Sequence, residues 1–228
     1  MAAHRAQQLG YKKISVFEFG CWNCRGLLDL EHWIDDIKEI INIDFQIFGF
    51  DYGEGLPDTN NDPRDRFYRW SVSDYKLVEK ENIKKLKYTK LIFGDVKDTL
   101  PIFIKQNDLS SMPIGFVAFD MDYFTSTYNA LKIFNLDSCN YIPRPITYFD
   151  DLSFSSEYEG ESLAIKEFNK NNKRKLSPIG ELAEYLSLFW KRWIFLGKRF
   201  HMLTDHTHPK YNEKYEDTIA LQICMIND

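Results

Sequence analysis

The sequence predicts an α/β fold built on a mostly parallel sheet. Two observations carry this reading. Short apolar runs rich in β-branched and aromatic residues alternate with segments of helical period, and each of the first five runs ends in an acid. Runs that are apolar throughout, rather than alternating, belong to strands buried on both faces, as in a parallel sheet covered by helices. A chain of 228 residues suits one such domain over positions 1–228, and its 44% hydrophobic and 16% aromatic content is ample for a core.

The elements follow in order. Residues 14–19, 45–50, 90–93, 114–119 and 145–149 read as strands. Leu27, Leu30, Ile34, Ile37 and Ile41 recur every three or four residues with charged residues between, which predicts an amphipathic helix. Further helices are expected over 74–86, 123–134, 161–168 and 181–190, and strands over 193–196 and 218–225. The polar connection 204–216 is long enough to let those last strands form an antiparallel pair at the sheet edge. The charged run 169–175 reads as a solvated loop.

Composition narrows the function. The formal charge of −5 is spread over interspersed acids and bases, unlike the concentrated basic face of a nucleic-acid binder. No apolar stretch approaches the roughly 20 residues that span a bilayer, and the first ten residues lack the apolar segment of a secretory signal. Four cysteines do not suggest a disulfide framework, so a reducing cytoplasm is the expected location.

In an open α/β sheet, ligands bind at the carboxyl ends of the strands, where strand order reverses. Here those ends carry Glu18-Phe19-Gly20, Asp51, Gly94-Asp95, Asp120-Met121-Asp122 and Asp150-Asp151. One such acid would be an ordinary turn or cap residue; five at one edge suit a nucleoside carrying a cationic sulfur. Gly20 permits a tight turn and close backbone approach, and Glu18 would sit beneath it near the ligand's amino-acid end. Asp51 is placed to accept both ribose hydroxyl hydrogens, and Asp95 to take the adenine amino group. Cys21 and Trp22 complete the loop, Trp22 as a pocket wall. The glycine spacing lacks the G-x-G-x-x-G pattern of a dinucleotide site. Cys21 and Cys24 form C-x-x-C, but Cys139 and Cys224 are isolated, so neither a zinc site nor a redox pair is the favoured reading.

Several segments match the macrocin O-methyltransferase family of S-adenosylmethionine enzymes. Glu18-Phe19-Gly20-Cys21-Trp22 is similar to its E-x-G-V-W loop, and Asp51-Tyr52-Gly53-Glu54-Gly55-Leu56-Pro57 to D-S-F-E-G-L-P. Gly94-Asp95-Val96-Lys97-Asp98-Thr99-Leu100-Pro101 resembles G-x-F-x-D-T-L-P, and Asp120-Met121-Asp122-Tyr123-Phe124-Thr125-Ser126-Thr127 resembles D-x-D-x-Y-x-S-T. Asp150-Asp151 matches paired acids after the next strand, and residues 160–168 echo G-x-x-x-A-x-x-E-F. The resemblance implies a Rossmann-like class I methyltransferase sandwich, with a mostly parallel seven-stranded sheet and an antiparallel C-terminal edge strand. It implies S-adenosylmethionine bound by Glu18, Gly20, Cys21, Trp22, Asp51, Gly94, Asp95 and Asp120. A divalent cation, usually Mg2+, would be held by Asp120, Asp150 and Asp151, where three carboxylates would otherwise repel one another.

The expected activity is O-methyl transfer to a hydroxyl of a sugar or glycosylated small molecule. Asp122 is the candidate general base, pointing away from Asp120 if the strand pleat continues. A catechol-like diol is an alternative acceptor, and a non-catalytic S-adenosylmethionine-binding module an alternative function. Homo-oligomers occur among family members. Ile142-Pro143-Arg144-Pro145 replaces the family's usual glycine pair, and His201, His206, His208 and Tyr211 have no counterpart. The histidines read as solvated, Trp190 and Trp193 as packing residues, and Tyr68, Arg69 and Trp70 as either packing or an acceptor pocket.

Overall fold

The structure is a computed structural model that describes residues 1–58, 62–65, 69–153, 156–180 and 198–215. The helix expected over 181–190, the strands expected over 193–196 and 218–225, and Tyr68, Trp190, Trp193 and Cys224 lie outside the described residues.

Among the described residues seven strands form one sheet: β1 (Lys13–Phe19), β2 (Asp44–Asp51), β3 (Thr89–Phe93), β4 (Ile114–Phe119), β5 (Tyr141–Phe149), β6 (Lys175–Pro178) and β7 (Phe200–Thr204). Their spatial order is β3-β2-β1-β4-β5-β7-β6. The first five pair in parallel, and β7 runs antiparallel to both β5 and β6. The expected mostly parallel sheet with an antiparallel element on its C-terminal side is therefore observed. Order reverses between β1 and β4, which places the ligand crevice above those two strands.

A row of phenylalanines fixes the strand ends beneath that crevice. Phe50, Phe19, Phe119 and Phe149, from β2, β1, β4 and β5, stack in succession with centroids 4.9, 5.4 and 4.7 Å apart. All four are at most 1% exposed. Close-packed rings at this spacing resist sliding, so the acids one or two residues beyond them are held in register.

The helices are α1 (Ala2–Gln8), α2 (Arg25–Ile40), α3 (Lys80–Ile83), α4 (Val96–Gln106), α5 (Phe124–Ala130) and α6 (Gly160–Asn171). The predicted amphipathic helix is α2, with Leu27 and Ile34 buried. The helix expected over 123–134 is α5 continued by 3-10 turns through Leu131–Asn135.

Three expectations change, and one helix is unexpected. The helix over 74–86 reduces to the single turn of α3, because Ser73 and Tyr75 adopt left-handed backbone at φ 69° and 61°. Backbone donors there bond elsewhere: Ser73 to Leu56 O at 2.9 Å, and Val78 and Glu79 to Asn23 Oδ1 at 3.0 and 2.9 Å. α4 is not evident in the sequence pattern, since Pro101 interrupts it. β5 begins four residues earlier than predicted, and Pro143 and Pro145 fall where its register with β4 is irregular and no ladder donor is required. The run 169–175 is not a loop. α6 extends through Asn171 and β6 starts at Lys175, while the Asn169 side chain both donates to Leu176 O (2.8 Å) and accepts from Leu176 N (2.7 Å).

Candidate active site

The carboxyl ends of β1, β2, β4 and β5 open into one cleft of ≈ 370 Å³. Gly20, Trp22, Asp51, Gly94, Asp95, Asp120, Asp122, Asp150 and Asp151 line it. The acids read from the ends of β2, β3, β4 and β5 converge on it.

Gly20 is the pivot. Its φ is +84°, and a Cβ there would lie 1.8 Å from the Asp120 carbonyl oxygen. The chain turns so tightly that Gly20 N donates to Phe50 O and Asp120 N to Phe19 O, both at 2.8 Å. Glycine alone fits that approach. The turn then continues through two strained residues, Trp22 at φ 41° and Cys24 at φ 60°.

Asp51 holds this loop from the neighbouring strand. Its Oδ2 accepts from Cys21 N and Trp22 N at 2.8 Å each, and its Oδ1 from Gly53 N at 2.6 Å. A carboxylate has about four acceptor positions, so room remains for one further donor rather than for both ribose hydroxyls. Asp51 is thus the clasp of the loop as well as a wall of the cleft. Asp95 is likewise engaged locally, capping α4 by accepting from Lys97 N at 2.9 Å and pairing with Lys97 Nζ at 2.9 Å.

Glu18 and Cys21 lie behind the loop instead of lining the cleft. Glu18 is 7% exposed, and its Oε2 has no hydrogen-bond partner among the described residues. Burial, then the charges of Asp120 and Asp51, push its carboxyl well above the usual range. A Cβ at Gly26 would meet Glu18 Oε1 at 2.3 Å, so the opening of α2 is shaped around this side chain. Cys21 Sγ faces Glu18 O and Phe50 O at 3.6 and 3.5 Å. Both cysteines of the C-x-x-C pair are buried and form no disulfide; burial raises Cys21 well above the thiol range and Cys24 to about 11. Low thiolate content at neutral pH is the opposite of what a redox pair requires.

β4 ends at Phe119, so the pleat does not carry on to Asp122. Instead Asp122 takes left-handed backbone at φ 53° inside a tight turn in which Tyr123 N bonds to Met121 O. As a result Asp120 and Asp122 face the same cleft. Asp122 is 8% exposed. Asp120 opens directly to the cleft, yet crowding by surrounding protein, then Asp150 and Asp151, raise its carboxyl to about 7, with Arg199 acting in the opposite sense.

Two acids of the expected metal set, Asp150 and Asp151, already have partners within the protein. Among the described residues no group of three or more His, Cys, Asp or Glu side chains comes together as a cation site. Asp150 Oδ1 accepts from Tyr148 OH at 2.6 Å and pairs with Arg199 Nη1 at 2.5 Å. The backbone N of Asp151 donates to Glu161 Oε2 at 2.8 Å, and Glu161 is wholly buried with its carboxyl raised by burial and by Asp151. The charge balance attributed to a metal is supplied in part by a guanidinium.

Arg199 does not stand out in the sequence, because nothing in its local pattern marks it. Neither does Tyr75. With Trp22 and Trp70 it forms an aromatic rim, centroids 5.6 and 5.3 Å apart, and Arg69 lies over Trp70 at 5.2 Å. The histidine tail has a different role from the solvated one expected. His201 is buried edge-on to Phe149, its pKa lowered by burial to about 4. His208 bonds through Nε2 to Tyr141 O (2.8 Å) and accepts at Nδ1 from Lys210 N (3.0 Å), which fixes one neutral tautomer. Of these three histidines only His206 is exposed, packed edge-on against Tyr211.

No family model matches this chain, and no curated protein does. Solved structures do share its fold. One is CalS11, a calicheamicin methyltransferase, at 20% identity over 78% of this chain and 71% of that one, with a TM-score of 0.56. Another is the O-methyltransferase NovP, at 18% identity over 77% and 71%, with a TM-score of 0.53. At these identities the likeness is one of fold: a Rossmann-like methyltransferase sandwich. No described helix is long and apolar enough to cross a membrane.

Proposed function

We propose that this fold serves as an S-adenosylmethionine-dependent O-methyltransferase acting on a hydroxyl of a sugar or glycosylated small molecule. The observation that carries the reading is the Gly20 turn, locked against Asp120 at the strand-order reversal, with an unpartnered buried carboxylate oxygen of Glu18 directly behind it. A cofactor amino group reaching behind the loop would relieve that orphaned acid, and Gly20 lines the cleft at the strand-order reversal, where an α/β sheet takes nucleotide-like ligands. The methyltransferases among the structures of like fold support the chemistry, and the sugar-type acceptor rests on the resemblance carried by the strand-end motifs.

In this reading the acceptor hydroxyl approaches along the Asp122 side of the cleft. S-adenosylmethionine, when bound, would supply the electrophilic methyl group to the acceptor oxygen and leave as the neutral thioether; the chain's part is to align the hydroxyl and take its proton on the Asp122 carboxylate. Most of the acceleration comes from alignment and exclusion of water, with base catalysis adding about 10²–10⁴-fold. Tyr75, whose hydroxyl burial and Asp122 raise to about 12, stays a neutral donor at the rim. The residues at Asp120, Asp150 and Asp151 do not fit a divalent cation as they stand, so no step is assigned to one.

The test is incubation with methyl-labelled cofactor and a panel of nucleotide sugars, glycosylated small molecules and catechols. Label in a sugar hydroxyl supports the proposal. Label in a catechol moves the acceptor class. Tight cofactor binding with no transfer to any acceptor, and no change in Asp122→Asn, favours a binding module.

A further inference from the structure

The acid cluster has its own cation, and the topology explains how it arrives. β7 runs antiparallel to β5, with Phe200 opposite Tyr148. The residue just before β7 therefore lies at the carboxyl end of β5, beside Asp150. That residue is Arg199, whose side chain is 14% exposed against 38% for Asp150. Arg199 Nη1 donates to Tyr148 OH at 2.8 Å as well as to Asp150 Oδ1, and Tyr148 OH donates to the same oxygen. One carboxylate oxygen thus takes two short donors from strands that cannot easily part.

We propose that Arg199 is the resident counter-cation of the Asp120, Asp150 and Asp151 cluster, and that this site therefore has no tight divalent-metal position. A guanidinium keeps its charge at any physiological pH, so it permanently offsets part of the acids' charge. A hard cation such as Mg2+ or Mn2+ needs about six oxygen ligands. To take Asp150 through Oδ1 it would have to displace Arg199 and break the Tyr148 contact, and through Oδ2 it would share one carboxylate with a guanidinium whose positive charge opposes it. Asp151 is in turn anchored through its backbone to buried Glu161. The guanidinium does not act as a base; its role is to position Asp150 and offset the negative field that the acceptor meets. The reaction itself rests on the methyltransferase reading, whereas the absence of a tight metal position stands independently of it.

The experiment is a Mn2+ titration of the full chain, followed by electron paramagnetic resonance of the free ion and by calorimetry, with a parallel S-adenosylmethionine titration. The wild-type protein is expected to leave Mn2+ free at micromolar concentration. Arg199→Met should gain affinity on the order of 10- to 100-fold, the range that a single neighbouring group commands at a metal site. Arg199→Lys, which retains the charge, should stay metal-free and covers the case in which the methionine variant does not fold. Uptake of one Mn2+ by the wild type at micromolar concentration overturns the proposal. So does a folded Arg199→Met that gains no affinity. Failure to bind S-adenosylmethionine would sink the methyltransferase reading and leave the metal result intact.

Discussion

Gly20→Ala tests the pivot of the site with one methyl group. The added Cβ would meet Asp120 O at 1.8 Å, where ordinary contacts begin at about 3.4 Å, so the two strand ends must part by more than 1 Å. Parting them stretches the Gly20–Phe50 and Asp120–Phe19 backbone bonds, each 2.8 Å long, for a loss of about 1 kcal/mol apiece. Left-handed backbone in a residue with a Cβ adds about 1–2 kcal/mol. The expected destabilisation is about 3–4 kcal/mol, read by urea unfolding, and a loss of S-adenosylmethionine binding in calorimetry. The binding loss should exceed what unfolding alone explains, since the loop held by Asp51 moves with Gly20. A variant that unfolds at the wild-type urea midpoint and binds cofactor with unchanged affinity would refute the reasoning.

Glu18→Gln separates stability from binding. The Glu18 carboxyl is raised by burial, so the folded state holds its proton more tightly than the unfolded one, whose value is about 4.3. Stability then falls as pH rises from there through the raised value; the glutamine variant should lack that slope and match or exceed the wild type near neutrality, while cofactor affinity drops by about 1.5–3 kcal/mol. A variant less stable at pH 7, with normal affinity, would assign Glu18 a purely structural role. Asp205 gives the opposite slope. Hydrogen bonds from Thr207, Tyr141 and Ser138 outweigh its burial and hold it well below the usual range, and Arg174 pairs with it at 2.9 Å. Its contribution is present above about pH 3.9 and is lost as pH falls through the depressed value; Asp205→Ala should cost about 3–5 kcal/mol at pH 7 in chemical denaturation. A cost under about 1 kcal/mol would show that the network adapts.

The strand ends are legible in the sequence because each acid follows directly on an apolar run, and a parallel sheet delivers all such ends to one edge. That is why Glu18, Asp51, Asp95, Asp120 and Asp150-Asp151 arrive together. What the acids bond to is not legible. Asp51 clasps the loop and Asp95 caps α4 because backbone donors happen to lie in reach, a matter of turn geometry. The helix expected over 74–86 fails at Ser73 and Tyr75, whose left-handed backbone answers to the Leu56 segment across the chain. Arg199 is hidden for a related reason: its position depends on the antiparallel pairing of β7, a contact 49 residues from Asp150. The same pairing sets a guanidinium beside the acids expected to hold a metal.

The most direct test of the account is calorimetric titration of the wild-type chain with S-adenosylmethionine, with NAD as the control. The account predicts one cofactor site per chain, lost in Gly20→Ala and weakened in Glu18→Gln, with no NAD binding. Absence of S-adenosylmethionine binding, or binding untouched by both substitutions, would contradict it.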